Sequence, residues 1–129
     1  MSKSNKVHID DLHFDHKVWK RELNFYKDEL MVFQNRLDEV ADRYTNKEVL
    51  KELDHFQNQL LIEGNVIDEL LHDINGHEHE LSERAKDNPV AIHHERFEDH
   101  TPMRDRVETN RKLMHEMKTD FNRYLTKWM

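Results

Sequence analysis

Residues 9–44 read IDDLHFDHKVWKRELNFYKDELMVFQNRLDEVADRY, and this stretch decides the fold. Its apolar and aromatic residues, joined by one histidine, recur at alternating steps of three and four, a period of about 3.5 residues. The stripe consists of Ile9, Leu12, His16, Trp19, Leu23, Tyr26, Leu30, Phe33, Leu37, Val40 and Tyr44. So long a periodic segment is typical of helices that pack in coiled coils and bundles. It predicts a first helix over about residues 8–44.

The rest of the chain continues in the same pattern. The capping-box sequence Thr45–Glu48 predicts the start of a second helix, over about residues 46–87. Its stripe consists of Leu50, Leu53, Gln57, Leu60, Gly64, Ile67, Leu71, Ile74, Glu78, Leu81 and Ala85. Because this stripe continues past Gly76, we expect the helix to continue there, either straight or with a mild kink. Asn88-Pro89 and Thr101-Pro102 are helix-start signals that predict a short connector helix over about residues 89–99 and a third helix over about 102–128.

These helices predict an all-α fold with a single domain over residues 1–129. Since a short link makes two long helices antiparallel neighbours, we expect an elongated up-down-up bundle of three heptad-patterned helices with a short helical connector. A second apolar stripe on the first helix, formed by Val18, Phe25 and Val32, lies about 120° from the main one. Either the third helix or a second copy of the chain would cover it, so dimerisation is one way to complete the bundle.

Composition excludes several classes of function. The chain has 27 acidic and 20 basic residues and a formal net charge of −7, so no basic face is expected for nucleic acid. Without cysteine, it has neither disulfides nor thiolate ligands. The longest apolar runs, such as Leu30–Phe33, are too short to span a membrane, and no apolar leader begins the sequence. We therefore expect a soluble cytoplasmic protein with no nucleic-acid or membrane partner.

The eleven histidines are the chemical feature that stands out. In an antiparallel hairpin nine of them gather at one end of the bundle, namely His8, His13, His16, His72, His77, His79, His93, His94 and His100. His16 and Glu78 both occupy stripe positions, where a buried imidazole and a buried carboxylate need a hydrogen bond, a shared proton or a metal. Two interpretations stay open, a polar layer that sets helix register and a zinc or iron site. For the metal site the candidate ligands are His16, His77, Glu78 and His115.

The sequence also predicts the surroundings of two further residues of the second helix. Gly64 interrupts the apolar stripe, and we expect it to permit close approach of Tyr26 or Trp19. Glu63 lies at the edge of the stripe, where we expect an exposed carboxylate.

Two functional hypotheses follow. The first is a small non-enzymatic bundle that acts through protein–protein contacts, as a homodimer or with another protein. The alternative is a bundle that binds a transition metal, zinc or iron, at its histidine-rich end. No complete set of catalytic residues is present in the sequence, which makes an enzyme the less favoured class.

Overall fold

A computed structural model describes residues 9–87 and 92–129, and all of its elements in these ranges are α-helices. They are α1 (Ile9–Arg43), α2 (Lys47–Asp87) and α3 (Ile92–Trp128). The predicted all-α class is confirmed, and α2 continues through Gly76 as expected. At the start of α2 the cap differs from the predicted one, because Asn46 Oδ1 accepts from the Glu48 amide at 2.8 Å. Asn46, rather than Thr45, therefore satisfies this free amide of the first turn.

The prediction of a connector helix over residues 89–99 that is separate from a third helix at 102 is wrong. Residues 88–91 lie outside the described ranges, but from Ile92 a single helix runs to Trp128 with Pro102 inside it. A proline inside a helix costs about 3 kcal/mol. The buried residues His100, Val107 and Asn110 keep the three-and-four spacing across it. Burial of one unbroken stripe thus outweighs the local cost of Pro102.

Polar contacts set the register between α1 and α2. Lys27 Nζ lies 2.9 Å from Asp68, and the side-chain amides of Gln34 and Gln57 exchange hydrogen bonds at 3.0 and 2.6 Å. Residue numbers therefore rise along α1 as they fall along α2.

Between α1 and α3 the residue numbers rise together. Arg111 donates two hydrogen bonds to Glu22, at 2.6 and 2.8 Å, and Lys118 Nζ lies 2.5 Å from Glu29. The Arg111 bonds are the largest influence on Glu22 and hold the pKa of its carboxyl below the ordinary value, against the opposing effect of burial. A two-pronged Arg–carboxylate contact restricts both side chains, so this pair specifies how α1 and α3 align.

The buried face of α2 differs from the predicted stripe. Phe56, Glu63 and His77 are buried, whereas the residues that follow them (Gln57, Gly64 and Glu78) are only half-buried. The physical reason is that α2 packs against both α1 and α3, so its contact face is wider than a two-helix seam. A narrow stripe read from sequence cannot show which of two adjacent positions lies deeper.

Two expectations about α2 side chains are corrected by this wider face. A Cβ at Gly64 would meet Leu30 Cδ1 at 3.9 Å, so neither Tyr26 nor Trp19 makes the closest approach there. Glu63 is 8% exposed rather than solvated, and its carboxylate accepts a hydrogen bond from Asn110 Nδ2. Burial raises the pKa of Glu63, and the Asn110 bond only partly opposes that effect. The middle of the bundle therefore contains a carboxyl that its surroundings disfavour as an anion.

The second stripe of α1 stays open to solvent. Val18, Phe25 and Val32 are 36%, 56% and 54% exposed, so α3 does not cover them. Of the two covers considered for this stripe, the described part of α3 is therefore not the one, and dimerisation stays a prediction.

Replacement of Glu63 by glutamine is expected to stabilise the bundle at pH 7 by about 1 kcal/mol, because a neutral amide avoids the cost of burying an anion. The folded-state pKa of Glu63 lies above its ordinary value, so the folded chain binds more protons than the unfolded chain between the two values. The penalty is therefore absent below the ordinary pKa and grows as the pH rises through the folded one. Urea unfolding of wild type and Glu63→Gln from pH 4 to pH 8 measures it.

The control for this prediction is Glu108→Gln, which changes an exposed glutamate of α3. Its unfolding free energy should differ little from wild type at every pH. If Glu63→Gln raised the unfolding free energy equally at pH 4 and pH 8, the gain would not come from the ionisation of Glu63.

Candidate metal centre

Each of the three helices brings one histidine to the same level of the bundle. His16 of α1, His77 of α2 and His100 of α3 are 1%, 7% and 0% exposed. One ring nitrogen from each lies within 4.8 Å of the others. We refer to these three residues as the histidine cluster. Three imidazoles that are buried side by side form an unusual core layer, since each ring carries two polar nitrogens that need partners.

Carboxylates bind the outer sides of two of these rings. Glu78 accepts from His16 Nδ1 at 2.5 Å and also from His13 Nδ1. Asp15 accepts from His100 Nε2 at 3.0 Å. A carboxylate on one ring nitrogen fixes the ring orientation and the tautomer, and it raises the basicity of the other nitrogen, as in carboxylate–histidine–zinc arrangements.

The remaining nitrogens of these rings are the candidate ligand atoms. His16 Nε2 lies 3.0 Å from His77 Nδ1, which is near the separation of about 3.3 Å between two nitrogens bound to one tetrahedral zinc. Among the described residues, the buried His100 Nδ1 has no hydrogen-bond partner. A buried polar atom left in this state calls for an explanation, and a bound cation supplies one.

Burial keeps two of these rings neutral. Desolvation is the largest influence on His16 and lowers its pKa, against the opposing hydrogen bond and charge of Glu78. Desolvation likewise lowers the pKa of His100, against the opposing contact with Asp15. Metal ions bind the neutral imidazole, so both rings are in the ligand form near neutral pH.

The carboxylate of Glu78 remains charged in this setting. Burial, the largest single influence, would raise its pKa, but the combined hydrogen-bonding and electrostatic effects of His16 and His13 outweigh burial, and the pKa of Glu78 lies below the ordinary value. A negative group next to the His16 ring partly compensates the charge of a bound cation.

Trp19 forms one wall of the cluster. Its ring stacks on His100 with centroids 4.7 Å apart and planes inclined by 26°, and its centroid lies 5.7 Å from that of His16. The indole restricts rotation of both imidazoles and adds apolar surface beside them, which rigidifies the candidate ligands.

Of the four residues predicted from sequence, three meet here. His16 and His77 belong to the histidine cluster, and Glu78 contacts the outer nitrogen of His16, a supporting position rather than a ligand one. The structure does not bring His115 to the cluster, because it is exposed and lies fifteen positions after His100 on α3, about 22 Å along the helix.

The third member, His100, was missing from the predicted ligands. A signal for it exists in the sequence, since His100, Met103, Val107 and Asn110 follow alternating three-and-four steps. The buried residues further along α3 continue these steps, namely Met114, Met117, Phe121 and Tyr124. The helix-start pattern Thr101-Pro102 obscured this signal. Of the other end-gathered histidines, His72 and His79 are exposed, while the side chains of His8, His93 and His94 lie outside the described part.

Comparisons of this chain with known proteins do not identify its function. No protein family matches this chain, nor does a curated protein or a solved structure. Within residues 9–87 and 92–129, no helix is apolar over enough of its length to cross a membrane.

The hydrogen bonds to Glu78 and Asp15 predict opposite tautomers for two rings of the metal-free protein. His16 should carry its proton on Nδ1 and His100 on Nε2, because these nitrogens donate to the carboxylates. Two-bond ¹H–¹⁵N correlation spectra at pH 7.5 measure this directly. The exposed His55 is the control and should average between tautomers. A His100 ring protonated on Nδ1 would contradict the assignment of its ligand atom.

Proposed function

We propose that this protein binds a transition metal ion at the histidine cluster, with zinc as the ion that suits it best. The observation that carries the proposal is three buried imidazoles from three helices with ligand atoms within 4.8 Å of one another. Carboxylates on the outer nitrogens of His16 and His100 support it, because metal-bound histidines almost always have such partners.

Zinc fits the donor set better than iron does. Three imidazoles and no thiolate make a nitrogen site that zinc accepts in tetrahedral geometry, with a water or another ligand in the fourth position. Non-haem iron(II) more often takes two histidines and one carboxylate on one face. Here the nearby carboxylates of Glu78 and Asp15 are already bonded to the outer ring nitrogens.

The burial of all three rings favours a structural role for the ion. A single ion would hold α1, α2 and α3 together at one level and would remove the cost of three buried imidazoles. Metal binding to the folded chain adds directly to stability, by about 2.7 kcal/mol when the free ion exceeds its dissociation constant about 100-fold.

The test is metal analysis of untagged protein, followed by zinc titration of the full chain. We expect about one zinc per chain and loss of stoichiometric binding in His16→Gln and His100→Gln. His115→Gln and His55→Gln are matched controls on exposed histidines and should bind as wild type does. Cobalt(II) substitution should give the intense visible absorption of a tetrahedral site.

A milder substitution keeps the test valid even if the histidine variants do not fold. Asp15→Asn keeps all three ligands and should weaken zinc affinity about 10- to 100-fold while the helical circular dichroism is unchanged. Absence of zinc from the purified protein together with no rise in melting temperature on its addition would overturn the proposal. So would equal loss of binding in His115→Gln.

A second candidate function, contact with another copy of the chain, is favoured by one observation. Phe25 and Val32 are 56% and 54% exposed, and with Val18 they form a heptad-spaced line on α1. The pairings of Lys27 with Asp68 and of Glu22 with Arg111 support an elongated up-down-up bundle in which this line faces outward. Such a line on a long helix is suited to a coiled-coil-like seam between two copies.

Sedimentation equilibrium tests the homodimer. Wild type should dimerise at micromolar concentration, and Phe25→Ser should shift it to the monomer because the seam loses its largest apolar side chain. Met31→Ser is the matched control, since Met31 is 66% exposed on α1 but lies off this line. A monomeric wild type, or equal effects of the two variants, would count against the dimer.

A further inference from the structure

A second surface, independent of the histidine cluster, lies between α2 and α3. Two adjoining cavities of about 300 and 310 Å³ open there, and both are lined by Leu113. We name this surface the α2–α3 groove and define it by Ile62, Glu63, Val66, Asn110, Leu113 and Glu116. Its buried lining residue Asn110 is ten positions from His100 along α3, or about 15 Å.

Apolar side chains line the open part of this groove. Ile62, Val66 and Leu113 are 61%, 38% and 48% exposed, with Ile62 and Val66 one turn apart on α2 and Leu113 opposite them on α3. Contiguous exposed apolar surface with a polar rim is typical of interaction sites. A groove between two helices that lie side by side is also the place where a bundle accepts a further helix.

The rim of the groove is acidic. Five carboxylates line the two cavities, four exposed ones at the rim (Glu69, Asp105, Glu116 and Asp120) and the buried Glu63 at the floor. Among the described residues that line them, the one basic side chain is Arg106, and it pairs with Asp73 at 2.9 Å. This charge favours a partner that carries lysine or arginine beside its apolar residues.

The floor of the groove holds a polar pair with an unused acceptor. Glu63 and Asn110 are 8% and 2% exposed, and Asn110 Nδ2 donates to the carboxylate. The opposite atom, Asn110 Oδ1, is buried and has no hydrogen-bond partner among the described residues. A buried acid and a buried free acceptor are costly to the isolated chain, and a cationic donor from outside would satisfy both.

We propose that the α2–α3 groove binds a basic amphipathic helix of a partner protein. Apolar residues of that helix cover Ile62, Val66 and Leu113, and one lysine or arginine reaches Glu63 and Asn110. From Asp105 to Asp120 the groove is about 22 Å long, which is enough for about four helical turns. Binding of this kind needs no metal, so it stands or fails separately from the histidine cluster.

The experiment uses the full chain and three synthetic peptides of about 18 residues. The first carries leucine at helical three-and-four spacing with lysine elsewhere, the second has the same leucines with glutamine for lysine, and the third is a scrambled form of the first. Fluorescence anisotropy at physiological salt should show binding of the first peptide alone. Methyl NMR shifts should concentrate at Ile62, Val66 and Leu113.

Variants locate the contact. Glu63→Gln should weaken binding of the lysine peptide by about tenfold or more, because a buried ion pair loses its anion. Leu113→Ser should weaken it through the apolar contact. Glu108→Gln and Met31→Ser are matched controls for charge and for exposed apolar area, and they should change the affinity less than about twofold.

Three results would overturn the proposal. One is equal binding of the scrambled peptide, which would mean that net charge alone attracts it. Another is unchanged affinity in both Glu63→Gln and Leu113→Ser. The third is a dimer of the peptide-free chain that Leu113→Ser dissociates, since a second copy would then be the occupant of the groove.

Discussion

Every helix of this protein must bury one continuous line of side chains against two neighbours, and the rest of the structure depends on that constraint. It carries α3 through Pro102 as a single helix, and it widens the buried face of α2 so that Glu63 and His77 lie deep. Hydrophobic burial of long stripes is large enough to override a local proline penalty of about 3 kcal/mol. Whatever polar groups lie on those lines are buried along with them.

Polar layers divide the length of the bundle into three levels. At one end the histidine cluster is bonded to Glu78 and Asp15. Midway lies the pair of Glu63 and Asn110. At the opposite end the Tyr124 hydroxyl donates to the Val49 carbonyl at 2.9 Å. The tyrosine layer satisfies its hydroxyl group, whereas the other two layers include the buried acceptors His100 Nδ1 and Asn110 Oδ1, which have no partner among the described residues. The histidine cluster and the α2–α3 groove lie at these two layers.

Much of the fold was predictable from local spacing, and part of the site was as well. The stripe of residues 9–44 was sufficient for α1, and the convergence of histidines located the end of the bundle where His16 and His77 meet. His115 does not join the cluster, because it is exposed and lies about 22 Å along α3 from His100. His100 was missed since the Thr101-Pro102 pattern reflects local helix-start preference, which tertiary packing overrode.

The sequence by itself determined the helical class, the length of α1 and the wealth of imidazole and carboxylate groups, because these follow from composition and a 3.5-residue period. Only the tertiary structure decided that Glu78 supports His16 from outside and that the exposed groove between α2 and α3 encloses Glu63. The physical reason is that periodicity defines a face to within about one residue, or 100° of rotation. Which of two adjacent side chains is buried depends on the helices that pack against that face.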